Sequence, residues 1–356
     1  MSLLLSPLTL RSTTFRNRLW LSPMCQYSAT DGVPDDWHRV HLAQFASGGV
    51  GLVLAESTAV SPEGRISPRD TGLWNDAQKV AWARIVAAVH SRGAHVGVQL
   101  GHAGRKASTW WPWAPASGSV PAADGGWQTV APSAVAFDGY EAPAALTAGG
   151  IGRVVEDFAA AARRAVDAGF DTVEIHGAHG YLLHQFLSPL SNARTDAWGG
   201  DLAGRARLLL DVVRAVRATV GPDMPLLLRV SATDWATGGL DVDDVATVAR
   251  WAREAGVDLV DVSSGGLVAH QQIAVGPGYQ VPFAARVREV ADVPTGAVGL
   301  ITTPTQAEEI LASGAADVVL VGREHLGDPH LGLRAERDLG SEQPELWPVQ
   351  YARARR

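Results

Sequence analysis

The sequence predicts a (β/α)8 TIM barrel, and three observations carry that prediction. Eight short apolar runs recur along the 356 residues, separated by longer stretches of helical pattern. This is the alternation of a parallel β/α fold. Polar and glycine-rich clusters stand directly after those runs, where barrel enzymes place their chemistry. No low-complexity or strongly charged stretch divides the chain. A doubly wound open sheet is the alternative, and two doubly wound domains would need a linker that the sequence lacks, so residues 1–356 are expected to form one domain. The 46% of hydrophobic residues suffices for a large core, and 38 glycines with 20 prolines imply many connections.

Taken in order, a small hairpin is expected over about residues 8–18. The barrel strands are read at Leu19–Ser22, Gly51–Ala55, His95–Leu100, Thr172–Ile175, Leu226–Val230, Leu259–Val262, Pro294–Ala297 and Val318–Val321. Helices are read at Ala77–Ser91, Val154–Ala168, Ala203–Val220 and Val242–Ala255, among others. One long interruption follows the third strand, from about Gly101 to Gly150. A loop of that length in a compact fold is a lid, a binding element or a disordered segment. Trp110, Trp111, Trp113 and Trp127 argue against disorder. We expect an aromatic cap over the barrel mouth, with a short hairpin of its own.

The carboxyl ends of the strands offer, in order, Pro23-Met24-Cys25, Ala55-Glu56, Gln99, His176 with His179, Arg229, Ser263-Ser264-Gly265-Gly266, Val298-Gly299 and Gly322-Arg323. Glycines after the last two strands let backbone N–H groups approach an oxyanion, and Arg323 adds a charged fork. A phosphate-bearing cofactor is the favoured reading; tight turns alone are the plainer one.

Composition narrows the partners. A formal charge of −7 gives no electrostatic reason to bind nucleic acid or an anionic membrane. The run Leu3-Leu4-Leu5 is too short and poorly flanked for a signal peptide, and no stretch is long enough to span a bilayer. A cytoplasmic protein is expected. Cys25 is the sole cysteine, which excludes an intrachain disulfide and a cysteine-ligated iron–sulfur cluster.

The most telling segment runs from His176 to Pro189, directly after the fourth strand. His176 and His179, three residues apart, can converge on one electronegative atom, and Tyr181 can supply a proton. Two histidines at this spacing can equally be metal ligands. A metal site would need further ligands at other strand ends, and those ends carry Met24-Cys25, Arg229 and Gly322-Arg323 instead. A metal-dependent barrel hydrolase therefore stands as the second reading. His38 and His41 share that spacing but fall on the first helix, where a structural role is expected. Cys25 as a nucleophile would need a nearby base or helix N-terminus. A Schiff-base role for Lys106 would need a desolvated strand end, and it lies in a loop beside Arg105.

Six motifs in order resemble the old yellow enzyme family of flavin-dependent ene-reductases, in its thermophilic-like class. They are Ser22-Pro23-Met24-Cys25-Gln26-Tyr27, Gly101 to Ala107, the His176 segment, Ser191 to Asp196 with Gly199-Gly200, Gly296 to Gly299, and Val321-Gly322-Arg323. The resemblance implies bound FMN, with its phosphate held by Ser264, Gly299, Gly322 and Arg323. It implies Pro23, Met24 and Ala55 against the ring system, Gln99 on the pyrimidine edge and Arg229 beside flavin N1 and O2. It further implies that NADPH (or NADH) delivers hydride to the flavin and leaves, and that an activated alkene then takes its place. The substrate oxygen would be held by His176 and His179, with Tyr181 protonating the α-carbon. By the same resemblance Cys25 tunes the flavin, Tyr27 bonds the substrate oxygen, and Lys106 contacts flavin or substrate indirectly. Tyr351-Ala352-Arg353 resembles a C-terminal segment whose arginine enters a neighbouring subunit, which implies a homodimer or homotetramer. Here Ala354-Arg355-Arg356 stands where a Gly-Trp ending would match more closely. A non-catalytic flavin-binding protein is the third reading. Relatives that carry an iron–sulfur cluster are excluded by the single cysteine.

Overall fold

The computed structural model describes residues 2–355. It opens with an antiparallel hairpin of β1 (Leu8–Leu10) and β2 (Thr13–Phe15), then runs β3 (Leu19–Leu21), α1 (Asp36–Ser47), β4 (Leu52–Ala59), α2 (Asp76–His90) and β5 (His95–Gly101). The long interruption holds β6 (Val130–Ala131) and β7 (Ala144–Ala145). There follow α3 (Ala148–Ala168), β8 (Thr172–Gly177), α4 (Leu182–Leu187), α5 (Leu202–Val220), β9 (Leu226–Ser231), α6 (Val242–Ala255) and β10 (Leu259–Ser263). The chain ends with α7 (Val281–Ala291), β11 (Thr295–Ala297), α8 (Pro304–Ala312), β12 (Val318–Val321), α9 (Arg323–Gly327) and α10 (Leu331–Asp338).

Eight parallel strands close in the order β3-β4-β5-β8-β9-β10-β11-β12, so the expected (β/α)8 barrel is borne out. Outward-facing valines, isoleucines and leucines of these strands, such as Val53, Val98, Val173 and Leu228, pack under the helices in the main core. The interior is built in two levels. Trp20, Leu52, Leu54, Leu227, Leu259 and Leu320 fill the lower level, and Leu10 and Phe15 of the hairpin close it from below. Phe15 meets Trp20 with ring centroids 4.8 Å apart. Strand side chains alternate with period two. Two residues further along the same faces, Leu227 gives way to Arg229 and Leu259 to Asp261, and the upper level is polar.

Two expectations need correction. The helix read from Val154 starts at Ala148, because the Thr147 side chain accepts from Gly150 N and caps it. That cap overrides the poor helix propensity of Gly149 and Gly150. The short hairpin expected in the capping segment is reduced to a single antiparallel bridge between Thr109 and Ser119, and β6 and β7 pair in parallel. Arg194 Nη1 donates both to Pro132 O at 2.9 Å and to Leu146 O at 2.7 Å, and so holds the chain after each strand side by side in one direction. The cap is tied down by cations on its indoles: Arg69 lies 4.1 Å over Trp111 and Arg65 4.8 Å over Trp127. Among the described residues no helix is long and apolar enough to cross a membrane.

Because Phe15, beside Leu10, closes the interior from below and is fully buried, Phe15→Ala should cost about 3–5 kcal/mol of unfolding free energy in urea titration. A loss below about 1 kcal/mol would show that the hairpin is an ornament rather than the barrel's lower seal.

Candidate active site at the barrel mouth

A cavity of about 270 Å³ opens at the carboxyl ends of the strands. Its walls come from five directions: Ser22-Pro23-Met24-Cys25 after β3, Ser57 on β4, Gln99 on β5, His176, His179 and Tyr181 around the end of β8, and Arg229 on β9. Gly322 and Arg323 after β12 complete it. A larger cavity of about 840 Å³ lies along α10 and the C-terminal turns, lined by Glu336, Trp347 and Arg355, among others, and holds none of these groups.

The two imidazoles stand edge to face, with centroids 5.3 Å apart, and Tyr181 meets His176 in the same manner at 4.9 Å. His179 adopts a left-handed backbone (φ 58°) that few side-chain-bearing residues take. Its N–H donates to Ser231 Oγ at 2.9 Å, and its carbonyl accepts from Lys106 Nζ at 2.9 Å. Gly180 follows with φ 72°, where a Cβ would sit 2.2 Å from Gly266 O. The strained turn that brings His179 and Tyr181 to one cavity is thus held by contacts from β9 and from the loop after β10.

Burial, followed by the nearby Arg229 charge, pushes both imidazoles well below the ordinary histidine range, so they are neutral at neutral pH. His176 Nδ1 accepts from Ala178 N at 3.3 Å, which leaves its hydrogen on Nε2. His179 Nε2 is 2.7 Å from Ser263 Oγ, and its hydrogen lies on Nδ1 when that hydroxyl donates to the imidazole in place of Gln280 Oε1 at 3.3 Å. Burial raises Tyr181 above the usual phenol range, and it stays protonated. Cys25 is raised by burial and then by Asp70 and Glu56, so its thiol is not a thiolate nucleophile.

Several expected residues sit elsewhere. Ala55 is buried in the core beneath the helices. A register irregularity between Ala55 and Ser57 turns Ser57 to the cavity in its place. Ser264 and Gly299 flank the cavity without lining it: Ser264 Oγ donates to Gln280 Oε1 at 2.6 Å, and a Cβ on Gly299 would sit 2.7 Å from Gln280 Nε2. Lys106 turns to the carbonyls of His179 and Gly266, each at 2.9 Å, with its ammonium 5.2 Å from the Tyr181 ring centroid. Burial and then Arg105 lower it to about 8. Tyr27 (φ 48°) stands outside the walls, edge to face with the exposed Trp113 at 5.8 Å. Arg353 is exposed on a C-terminal turn, away from the cavity of its own chain. His38 and His41 are buried on α1; His38 Nδ1 accepts from Asp35 N in a capping box, and Nε2 lies 3.2 Å from Glu56 Oε1. Glu56 in turn accepts from Gln26 N at 2.9 Å and so fixes the Cys25–Tyr27 turn. Sequence reasoning passed over Ser57, Gln280, Glu174 and Asp261. The last two were detectable as charges inside apolar parallel strands.

The donor set fits FMN. Pro23 and Met24 supply an apolar wall, Arg229 a cation, and Gln99, whose amide nitrogen is taken by Glu174 at 2.7 Å, a carbonyl acceptor. Gly322 leaves its backbone open: an added Cβ would meet nothing nearer than Met24 Sδ at 3.5 Å. Among the described residues no three His, Cys, Asp or Glu side chains converge as a metal site requires.

The family model for the NADH:flavin oxidoreductase / NADH oxidase family matches residues 3–342. The chain belongs to that family. The resemblance read from the six motifs is borne out, and the protein is an FMN-dependent, nicotinamide-oxidising enzyme of old yellow enzyme type. It is similar to the NADPH dehydrogenase of Listeria innocua, at 48% identity over 99% of each chain, and to that of Bacillus subtilis, at 45% over 98% of each. Among solved structures it resembles morphinone reductase (TM-score 0.79, 29% identity, 99% of this chain and 95% of that one). It also resembles the old yellow enzyme homologue from Zymomonas mobilis (TM-score 0.78, 29% identity, 97% and 96%).

Neutral imidazoles are the testable core of this flavoenzyme site. Ring nitrogen shifts of His176 and His179, assigned with His176→Asn and His179→Asn, should show no protonation as pH falls through the ordinary histidine value of about 6.5. Titration near that ordinary value would overturn the burial argument.

Proposed function

We propose that this flavoenzyme is an ene-reductase acting on activated alkenes, namely α,β-unsaturated carbonyls and nitroalkenes, with NADPH or NADH as reductant. The observation that carries the proposal is the meeting of two neutral imidazoles and a protonated phenol at one cavity that Arg229 also lines. When bound, FMN supplies the two-electron chemistry, accepting hydride from the nicotinamide and returning it to the alkene carbon.

The chain's own residues do the rest. His176 Nε2–H donates to the carbonyl or nitro oxygen, and His179 Nδ1–H donates beside it when the Ser263 hydroxyl turns from Gln280 to His179 Nε2. Neutral donors polarise the double bond without fixing a second charge beside Arg229. Tyr181 protonates the α-carbon. Its raised pKa keeps the proton in place until that carbon becomes strongly basic. Lys106, near the Tyr181 ring, favours the phenolate that proton transfer leaves behind. The protonated Cys25 thiol and Ser57 shape the wall opposite the histidines, and Tyr27 under Trp113 forms the outer lip that an arriving substrate meets. Arg229, a permanent cation, balances negative charge developed in the cavity.

Association as a homodimer or homotetramer is part of the same proposal, with the exposed Arg353 as the residue offered to a neighbour. The negative net charge favours neither nucleic acid nor an anionic membrane as partner.

The test is a flavin absorbance spectrum followed anaerobically. The bands should bleach with NADPH and return with cyclohexenone. Bleaching without return would leave a flavin-binding protein or an oxidase of another substrate. In stopped flow, Tyr181→Phe should slow the enone half-reaction by about 10²-fold or more while sparing reduction by NADPH. Equal losses in both half-reactions would remove Tyr181 as the acid. His176→Ala should weaken binding of phenolic ligands by about tenfold, the effect of losing roughly one hydrogen bond of about 1.4 kcal/mol. Unchanged affinity would remove His176 as the oxygen donor.

A further inference from the structure

Beneath the cavity floor Arg229 belongs to a charge cluster whose two carboxyls, Glu174 and Asp261, the proposed reaction does not use. Glu174 on β8 and Asp261 on β10 are fully buried, and Arg229 between them on β9 is nearly so. Arg229 Nε lies 3.0 Å from Asp261 Oδ2 without the alignment of a hydrogen bond. Gln99 Nε2 donates to Glu174 Oε1 at 2.7 Å, while Glu174 Oε2 and both oxygens of Asp261 have no hydrogen-bond partner. Two ionised carboxylates against one guanidinium would leave a buried, unpaired negative charge, which costs several kcal/mol. Neutralising one carboxyl with a proton removes that cost.

The strand pairing selects which one. Asp261 is the direct register partner of Arg229 and touches its guanidinium, whereas Glu174 pairs with Gln99 and Leu227. Burial and then the Asp261 charge raise the Glu174 carboxyl to about 8, against the pull of Arg229 and of the Gln99 hydrogen bond. The charged groups facing Glu174 are Arg229 and Asp261 on the two strands after its own. From β5 comes only the neutral Gln99, and His176, two residues on along its own strand, is neutral as well. Gln99 both lines the cavity and bonds Glu174, so it joins the buried carboxyl to the space where FMN is held.

We propose that Glu174 is a proton-binding site coupled to the charge held above Arg229, so that reduction of bound FMN draws one solvent proton onto Glu174 whenever that carboxyl is ionised beforehand. Negative charge placed beside Arg229 weakens the attraction that favours ionised Glu174 and adds direct repulsion. Both effects make Glu174 bind its proton more tightly. The hydride comes from NAD(P)H and the extra proton from water. Glu174 changes only its O–H bond and exchanges no electrons. Below its pKa in the oxidised enzyme Glu174 is protonated in both redox states, and well above its pKa in the reduced enzyme it is ionised in both. Proton uptake is confined to the interval between. Glu174 is a positioning residue for charge and does not touch the alkene.

The proposal rests on FMN binding and not on the identity of the alkene. The experiment is the midpoint potential of the FMN-loaded enzyme against pH, for the wild type and for Glu174→Gln. The wild type should show an interval above about pH 8 in which the potential falls more steeply by about 30 mV per pH unit, one proton per two electrons. Glu174→Gln should lack that interval. Parallel curves would overturn the proposal. A measurement that needs no Glu174 variant guards against misfolding. The infrared spectrum of the oxidised wild type should contain a carboxylic-acid carbonyl band at about pH 7 that disappears as pH rises past about 8. The band should persist in Asp70→Asn, because Asp70 is a further buried carboxyl that burial raises, to about 7, while Asp261, also raised by burial, is drawn back toward its ionised form by the guanidinium it touches. A wild-type spectrum with no carbonyl titrating there, or a band lost in Asp70→Asn, would equally overturn it.

Discussion

The burial of Arg229 inside a closed sheet is the constraint on which the rest of the site depends. A guanidinium cannot shed its charge, so its surroundings must meet it. Asp261 answers from the next strand at 3.0 Å, and the neutrality of nearly everything else follows. His176 and His179 are held uncharged partly because the cation already occupies that space. The same cation makes the cavity receptive to a cofactor that gains negative charge. The sheet around it closes, so each barrel strand is paired on both edges.

The division of the interior into an apolar floor and a polar upper level is what turns a common fold into a catalyst. Leu227 and Arg229, or Leu259 and Asp261, are two residues apart on one strand and share its inward face. The lower set, closed by the hairpin, provides stability, and the upper set spends some of it on desolvated charge. Lys106 shows the same trade at the rim. Its ammonium is bound by the carbonyls of His179 and Gly266, and it stabilises the left-handed turn that presents His179 and Tyr181 together.

Much of this was legible in the chain. The eight strands, their carboxyl-terminal clusters and the His176 segment are local features, each written in a few consecutive residues. The helix beginning at Ala148 was misread by six residues, because a single Thr147 cap outweighed two glycines. Ala55 was assigned to the cavity that Ser57 lines, since a one-position irregularity against β5 exchanges the two faces of a strand. Lys106 was read from its loop as an indirect contact to flavin or substrate, and the backbone carbonyls it bonds, 73 and 160 residues away, are visible only in the folded chain.

By itself the sequence determined the type and order of the elements, the closure of the barrel and the kinds of chemistry gathered at its mouth. Periodicity, capping and turn formation act over a few residues and need no partner to be read. Only the tertiary structure decided which side chains share the cavity, which nitrogen of His176 carries the hydrogen, and that Glu174 meets Gln99 across 75 residues of chain. Those outcomes depend on register and on desolvation. Both are properties of strands after they have paired, and neither is carried by any one segment alone.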